Sequence, residues 1–219
     1  MLKRLYQAVL DTLFPPKCPI CHAYLDVHDQ PWCTSCLSQV TAKHYVALDV
    51  KIVRDLESCL VLCHYRQGIK QMIHGIKYGK KLYLIKPLIW LLQNASLLTA
   101  IPEIDFVVPV PLHKERFKER GFNQTEKIFR PWAIGAGLVW QEILQRKKST
   151  LNQYKLTIAE RKKNVEDAFT LIATCEIQGK TILLVDDIFT TGATMHACAK
   201  VLKHAGAKRV IGLTIASDA

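Results

Sequence analysis

LLVDDIFTTGATM, Leu183 to Met195, ends an apolar run on two carboxylates and turns through threonines and a glycine into a stretch with helical spacing. Lys180-Thr181-Ile182 leads into it, and the consecutive Ile182, Leu183, Leu184 and Val185 read as a strand buried on both faces. In an open α/β sheet, ligands bind beyond the carboxyl ends of the strands, which is where Asp186 and Asp187 fall. The turn that follows supplies backbone N–H groups, the positive end of a helix dipole and the hydroxyls of Thr190, Thr191 and Thr194, a set suited to a phosphate. Gly192, beside Ala193, has no Cβ and lets the backbone come close. Two carboxylates next to such a nest would repel an anion. They make sense as acceptors for vicinal hydroxyls near the phosphate, as on a 5-phosphoribosyl group; the plainer alternative is an Asp pair that caps the turn.

Working outward, TMHACAKVLKHAGA predicts a helix and RVIGLTIAS a last strand. Upstream, LESCLVLCHY reads as a strand, and RQGIKQMIHGIKYGKK as a helix with Ile69, Met72, Ile73 and Ile76 on one face, ending near Gly79. Residues 82–100 read as a second helix with Pro87 near its first turn. IDFVVPVP is a short β run stopped by Pro109 and Pro111, FNQTEKIFRPWAIGAGL a helix capped by Asn123, and LVWQEILQRKK a strand. Alternating strands and helices predict a doubly wound α/β fold with a parallel sheet.

The chain has 219 residues, about half of them apolar (49%), enough for a real core and an appendage. Its formal net charge is +11, which favours polyanions or anionic surfaces as partners. Residues 113–163 hold thirteen Lys/Arg against five Asp/Glu, either a solvated face or an anion-binding strip. MLKRLYQAVLDTLFPP has helical apolar spacing interrupted by Asp11, so it reads as an amphipathic docking helix rather than a signal peptide. LYLIKPLIWLLQNASLLTAI carries Lys86, Pro87, Gln93 and Asn94 and falls short of a membrane span. A cytoplasmic protein is expected.

Cys18, Cys21, Cys33 and Cys36 form C-x2-C-x11-C-x2-C. Each pair can aim two thiolates at one point, and four suit tetrahedral Zn2+ in a closed, structural site. The expected organisation is an amphipathic helix and four-Cys zinc finger in 1–45, then one α/β domain in 46–219. Cys59, Cys63, Cys175 and Cys198 sit in apolar surroundings and read as buried thiols.

The opening stretch resembles the 5-phosphoribosyl-1-pyrophosphate (PRPP) motif of type I phosphoribosyltransferases: apolar strand, two acidic residues, then T-T-G-x-T. With CPIC and CTSC, YRQGIKQMIHGIKYGKK, DFVVPVPLHKERFKERGFNQTEKI and RKKSTLNQYKLTIAERKKNVEDAF in that order, residues 5–216 look like the ComF family of competence proteins, ComFC type. The resemblance implies a zinc finger joined to a phosphoribosyltransferase-type domain, acting in natural transformation on imported single-stranded DNA. It also implies that Asp186 and Asp187 face the ribose hydroxyls, that Thr190, Thr191, Gly192, Ala193 and Thr194 hold the 5-phosphate, and that PRPP arrives with Mg2+.

After the turn forced by Pro109 and Pro111, Arg116, Lys118 and Arg120, with Asn123 and Gln124, can meet a pyrophosphate or DNA phosphates. RKKSTLNQYKLTIAERKKN falls where related transferases have a hood that closes over substrate, which makes Gln153, Arg161 and Asn164 candidates as well. Trp32 and Tyr24 in the knuckle and Phe117, Phe122 and Tyr154 along the basic strip are the aromatic candidates for stacking single-stranded bases, with burial in the core as the competing reading of each. Two other readings stay open: a metabolic phosphoribosyltransferase acting on a base or amine, and a zinc-dependent adaptor that docks on a helicase or another competence protein, its ligand site vestigial.

Overall fold

The sheet follows from where apolar residues run without interruption. In the computed structural model, which describes residues 15–25, 30–49, 54–97, 101, 103–147, 168–172 and 176–218, five strands take the order β1-β2-β7-β6-β3. They are β1 (Thr41–Tyr45), β2 (Ser58–His64), β3 (Phe106–Pro109), β6 (Thr181–Phe189) and β7 (Arg209–Ser217). β2, β7, β6 and β3 are parallel neighbours, whereas β1 pairs antiparallel with β2 and forms one edge. β4 (Leu144–Arg146) and β5 (Phe169–Leu171) make a separate two-stranded antiparallel ribbon.

Successive strand residues point to opposite faces, and the chain uses this to build two cores. Leu183 and Val185 join Leu60, Leu62, Leu213 and Ile215 on one side. There they meet α2 (Gln67–Gly79), α3 (Ile85–Asn94) and α5 (Gln124–Gly135). Ile182 and Leu184 join Val61, Val108 and Val210 on the other, under α6 (Ala193–His204) and the β4–β5 ribbon. Covering on both faces is why the central strands read as continuous apolar runs.

Several expectations hold: α2 buries Ile69, Met72, Ile73 and Ile76 and ends at Gly79. Asn123 caps α5 by accepting from the Thr125 N–H at 3.1 Å. Others need correction. The span 82–100 is a 3-10 turn at Leu82–Leu84 followed by α3, which stops at Asn94; Pro87, in the first turn of α3, lacks an N–H that would be unpaired there anyway. LVWQEILQRKK is strand only at Leu144–Arg146, with an isolated bridge from Trp140 to Val107. Strand β1, α1 (Thr34–Val40) and α4 (Lys114–Arg120) carry weak patterns and were not expected as regular elements. The boundary expected after residue 45 falls at the end of β1, a strand of the main sheet.

The N-terminal unit is fastened by two contacts. Trp32 is buried and its indole N–H donates to the Pro87 carbonyl at 3.1 Å, on α3. Ile20, between Cys18 and Cys21, lies where a Cβ on Gly68 of α2 would collide with it, so only glycine admits the knuckle there. The expected amphipathic helix before Pro15 lies outside the described residues. Trp32→Ala removes both packing and a hydrogen bond and is expected to cost about 3–5 kcal/mol, read by chemical denaturation; Trp32→Phe, which keeps the ring packing, should cost markedly less.

Candidate functional site

β6 carries the acidic pair just past its pairing with β3, which ends at Val185, while β7 still pairs with it through Phe189. Asp187 is 3% exposed and its Oδ2 lies 2.6 Å from Lys77 Nζ on α2. Its Oδ1 accepts from Gln124 Nε2 at 3.5 Å, and Gln124 in turn accepts from Arg120. Asp186 Oδ1 accepts from Thr125 Oγ1 at 3.1 Å and from the Asp187 N–H at 2.8 Å. Asn123, besides capping α5, donates from Nδ2 to the Val110 carbonyl at 3.3 Å. The start of α5 thus holds the acidic pair with two consecutive side chains, Gln124 and Thr125, and Asn123 before them ties the turn after β3 to it.

These groups wall a cavity of about 270 Å³. Four basic side chains, Lys77, Arg116, Arg120 and Arg146, share it with Asp186 and Asp187. Burial pulls the Arg120 and Arg146 guanidinium groups below their usual value, opposed at Arg120 by Asp187. Desolvated cations in excess over carboxylates favour a polyanionic ligand that replaces the lost hydration. Burial, reinforced by the neighbouring Asp187 carboxylate, pushes Asp186 up to about 8, with Lys77 acting in the opposite direction.

Of the sequence-predicted residues, Asp186, Asp187, Thr194, Arg116, Arg120, Asn123 and Gln124 line this cavity together. Lys118 does not: it projects from α4 into solvent, because only positions 116 and 120 of that helix face inward. Thr190 and Thr191 are exposed at the turn, and Thr191 Oγ1 accepts from the Ala193 N–H at 3.4 Å. Gly192 has φ +73°, and a Cβ on it would come within 2.6 Å of the Phe189 ring; its need for glycine is therefore met within the protein itself. Gln153, Arg161 and Asn164 lie outside the described residues.

Lys77, Tyr78, Thr125 and Arg146 complete the site and were not singled out as ligand contacts in the sequence. Lys77 reads as one of the lysines expected at a helix C-terminus, and nothing in its spacing separates it from Lys80 and Lys81. Of the aromatic candidates, Trp32 is buried, which removes it as a stacking platform, and Phe122 packs against the core. Tyr24 and Phe117 are exposed, and Tyr154 lies outside the described residues.

At the N-terminus, the sulfur atoms of Cys18, Cys21, Cys33 and Cys36 all lie within 4.8 Å of one another. Cys21 and Cys33 Sγ are 3.7 Å apart, close to the ~3.8 Å edge of a tetrahedron with 2.3 Å Zn–S bonds. Burial raises the Cys18 thiol, but hydrogen bonds from the Cys33, Cys21 and Ile20 backbones outweigh it and bring Cys18 down to about 6, favouring the thiolate a metal needs. Cys33 Sγ also caps α1, accepting from the Cys36 N–H at 3.4 Å. The donor set fits structural zinc. Cys59, Cys63 and Cys198 are buried away from it, and burial pushes each thiol up; Cys175 lies outside the described residues.

Comparison with known proteins agrees with both halves. Residues 141–219 match the phosphoribosyl transferase domain family and residues 9–46 the double zinc ribbon domain family; among the described residues there is a single four-cysteine cluster. The chain is 30% identical to the DNA utilization protein YhgH of Escherichia coli K12 over 69% of its own length and 68% of that protein's. It is 34% identical to competence protein ComFC of Streptococcus pneumoniae (67% and 62%) and 25% identical to competence protein F of Haemophilus influenzae (89% and 82%). It spans about two thirds of the length of the curated DNA utilization proteins it matches. No described helix is long and apolar enough to cross a membrane.

Two outcomes test this site as it stands. The Asp186 carboxyl is harder to ionise folded than unfolded, so the fold holds a proton that the unfolded chain releases, and stability falls as pH rises from about 4 to 8. Asp186→Asn should remove that fall. Its Tm is expected to exceed wild type at pH 8.5 and to match it near pH 4; an equal offset at both would refute the raised ionisation. Chelation, or Cys18→Ser, should unfold the N-terminal unit, seen as loss of bound zinc together with rapid proteolysis before residue 46; a protease-resistant metal-free ribbon would contradict the assignment.

Proposed function

Because the chain belongs to the ComF family of competence and DNA-utilization proteins, we propose that it is a cytoplasmic DNA-uptake factor. It binds single-stranded DNA, and takes PRPP with Mg2+ in the cavity at the end of β6. The observation that carries this reading is the pairing, in one cavity, of two strand-end carboxylates with Lys77, Arg116, Arg120 and Arg146. A ligand with hydroxyls at one end and phosphates at the other meets both.

Asp186 and Asp187 accept the ribose hydroxyls, the Thr190 to Thr194 turn takes the 5-phosphate at the start of α6, and Arg116 and Arg120 take the pyrophosphate with bidentate geometry. Lys77 is released from Asp187 to a phosphate oxygen when the ligand's hydroxyls replace it. Mg2+ neutralises part of the pyrophosphate charge. Phosphoribosyl transfer needs positioning and charge stabilisation more than acid or base groups, so the same geometry serves binding with or without turnover.

Mg2+ plus PRPP at about a hundredfold excess over its dissociation constant is expected to stabilise the protein by about 2.7 kcal/mol, a rise of about 5–10 °C in Tm. Asp187→Asn, measured against its own unliganded baseline, should abolish the rise. Absence of any shift in the wild type would refute the PRPP reading.

A further inference from the structure

One face of α2 turns away from the core and carries Lys70, Gln71, His74 and Tyr78, all exposed. With Gly75, Gly79 and Lys81 these residues line an open groove of about 810 Å³. Lys80, Lys81, Tyr83 and Lys86, exposed at the end of α2 and the start of α3, prolong it. Tyr78 and Tyr83 are 59% and 68% exposed, unusual for such large rings. Tyr78 lines this groove and the PRPP cavity alike, its ring 4.6 Å from that of His74 and 5.7 Å from the Arg120 guanidinium, centroid distances in both cases.

The charge pattern on this face is one-sided. From Ser58 to Pro102 the sequence holds six Lys/Arg and no Asp or Glu, whereas a merely solvated helix usually mixes signs. Among the described residues, Lys77 reaches a carboxylate, that of Asp187, and no carboxylate pairs with Lys70, Lys80, Lys81 or Lys86. Unneutralised lysines interleaved with exposed aromatic rings are what a single polynucleotide strand requires: positive charge for its phosphates and flat platforms for its bases. A folded duplex offers no free base faces, and a protein partner would call for acidic complement without explaining the rings.

We propose that the exposed face of α2, continued through Leu82–Leu84 to Lys86, is the path of a single nucleic-acid strand. A base stacks on Tyr78 at the mouth of the cavity, with Tyr83 as a second platform and Lys70, Lys80, Lys81 and Lys86 on the phosphates. The choice of DNA rests on the DNA-uptake reading above; the location does not. This moves the strand away from the basic strip of residues 113–163. It also places it one side chain from the PRPP cavity, since Tyr78 borders both and its neighbour Lys77 holds Asp187.

The test uses the full zinc-loaded chain and a fluorescent oligo-dT, with oligo-rU, duplex DNA and phosphatidylserine vesicles as further probes. Tyr78→Ala should weaken oligo-dT binding roughly 5- to 100-fold and Tyr78→Phe should restore it. Lys70→Ala with Lys81→Ala should lower the slope of log K against log salt by about 1.4 while keeping the PRPP thermal shift. Lys208→Ala, exposed just before the start of the central strand β7, removes a charge with little effect. Binding of oligo-rU alongside oligo-dT supports a single-strand path. Wild-type binding that survives all the α2-face changes, duplex binding as tight as the single strand, or capture by vesicles without oligonucleotide binding would overturn the proposal. Unchanged binding in those variants with an intact PRPP shift defeats this location alone; loss of the PRPP shift with the α2-face effects intact defeats the ligand assignment alone.

Discussion

The contact on which the rest depends is the buried ion pair between Asp187 and Lys77. A carboxylate 3% exposed, at the end of a sheet strand, is costly unless its charge is met. Lys77 meets it at 2.6 Å from α2, and Gln124 adds a hydrogen bond from the start of α5. One side chain on β6 therefore fixes the positions of two helices relative to the sheet edge. Removing either partner leaves an uncompensated charge, whereas a ligand that brings both hydroxyls and phosphates can substitute for both sides at once. The pair is thus stable without ligand.

The same economy explains the neighbouring groups. Asp186 sits where a second full charge is penalised, so its carboxyl holds a proton more firmly than usual and accepts hydrogen bonds from Thr125 and from the Asp187 backbone. Arg120 is buried with its guanidinium over the Tyr78 ring and hydrogen-bonded to Gln124. Each of these groups is preorganised by a neighbour that belongs to a different element, which is how a site is held when most of its members lie at element ends rather than inside them.

How much of this was legible follows from how far each signal reaches along the chain. The strands β2, β6 and β7 and the helices α2, α5 and α6 carry local periodicity or unbroken apolar runs, and the sequence shows them directly. The acidic pair and the four cysteines are visible because their members are adjacent or regularly spaced. Lys77 carries no signal of its own, and Arg146 is visible only as one of the basic residues of the 113–163 strip, since their role comes from packing that joins residues far apart in sequence: Lys77 meets Asp187, and Arg146 reaches the cavity from a three-residue strand. Strand β1 hid for a related reason. An edge strand of half-exposed residues, TAKHY, needs no apolar run, and its partner β2 supplies the pairing. Trp32 can be read from the sequence as a stacking platform or as core, because a lone Trp beside turn residues does not announce the carbonyl of Pro87 that takes its N–H.

The zinc ribbon is joined to this site through α2. Ile20, held between two of the metal-binding cysteines, packs where Gly68 opens the first turn of that helix, and Trp32 anchors the ribbon to α3 just beyond it. Nine residues on from Gly68, on the same rigid helix, Lys77 grips Asp187. A helix transmits position along its axis at about 1.5 Å per residue with little bending over such a length. A metal held by the four cysteines would fix the ribbon against the start of α2, the helix whose other end carries Lys77 and Tyr78 beside the acidic pair. A four-cysteine site with no open coordination position has no chemistry to offer a ligand, and among the described residues its link to the cavity runs through α2, which meets Ile20 at one end and lines the cavity at the other.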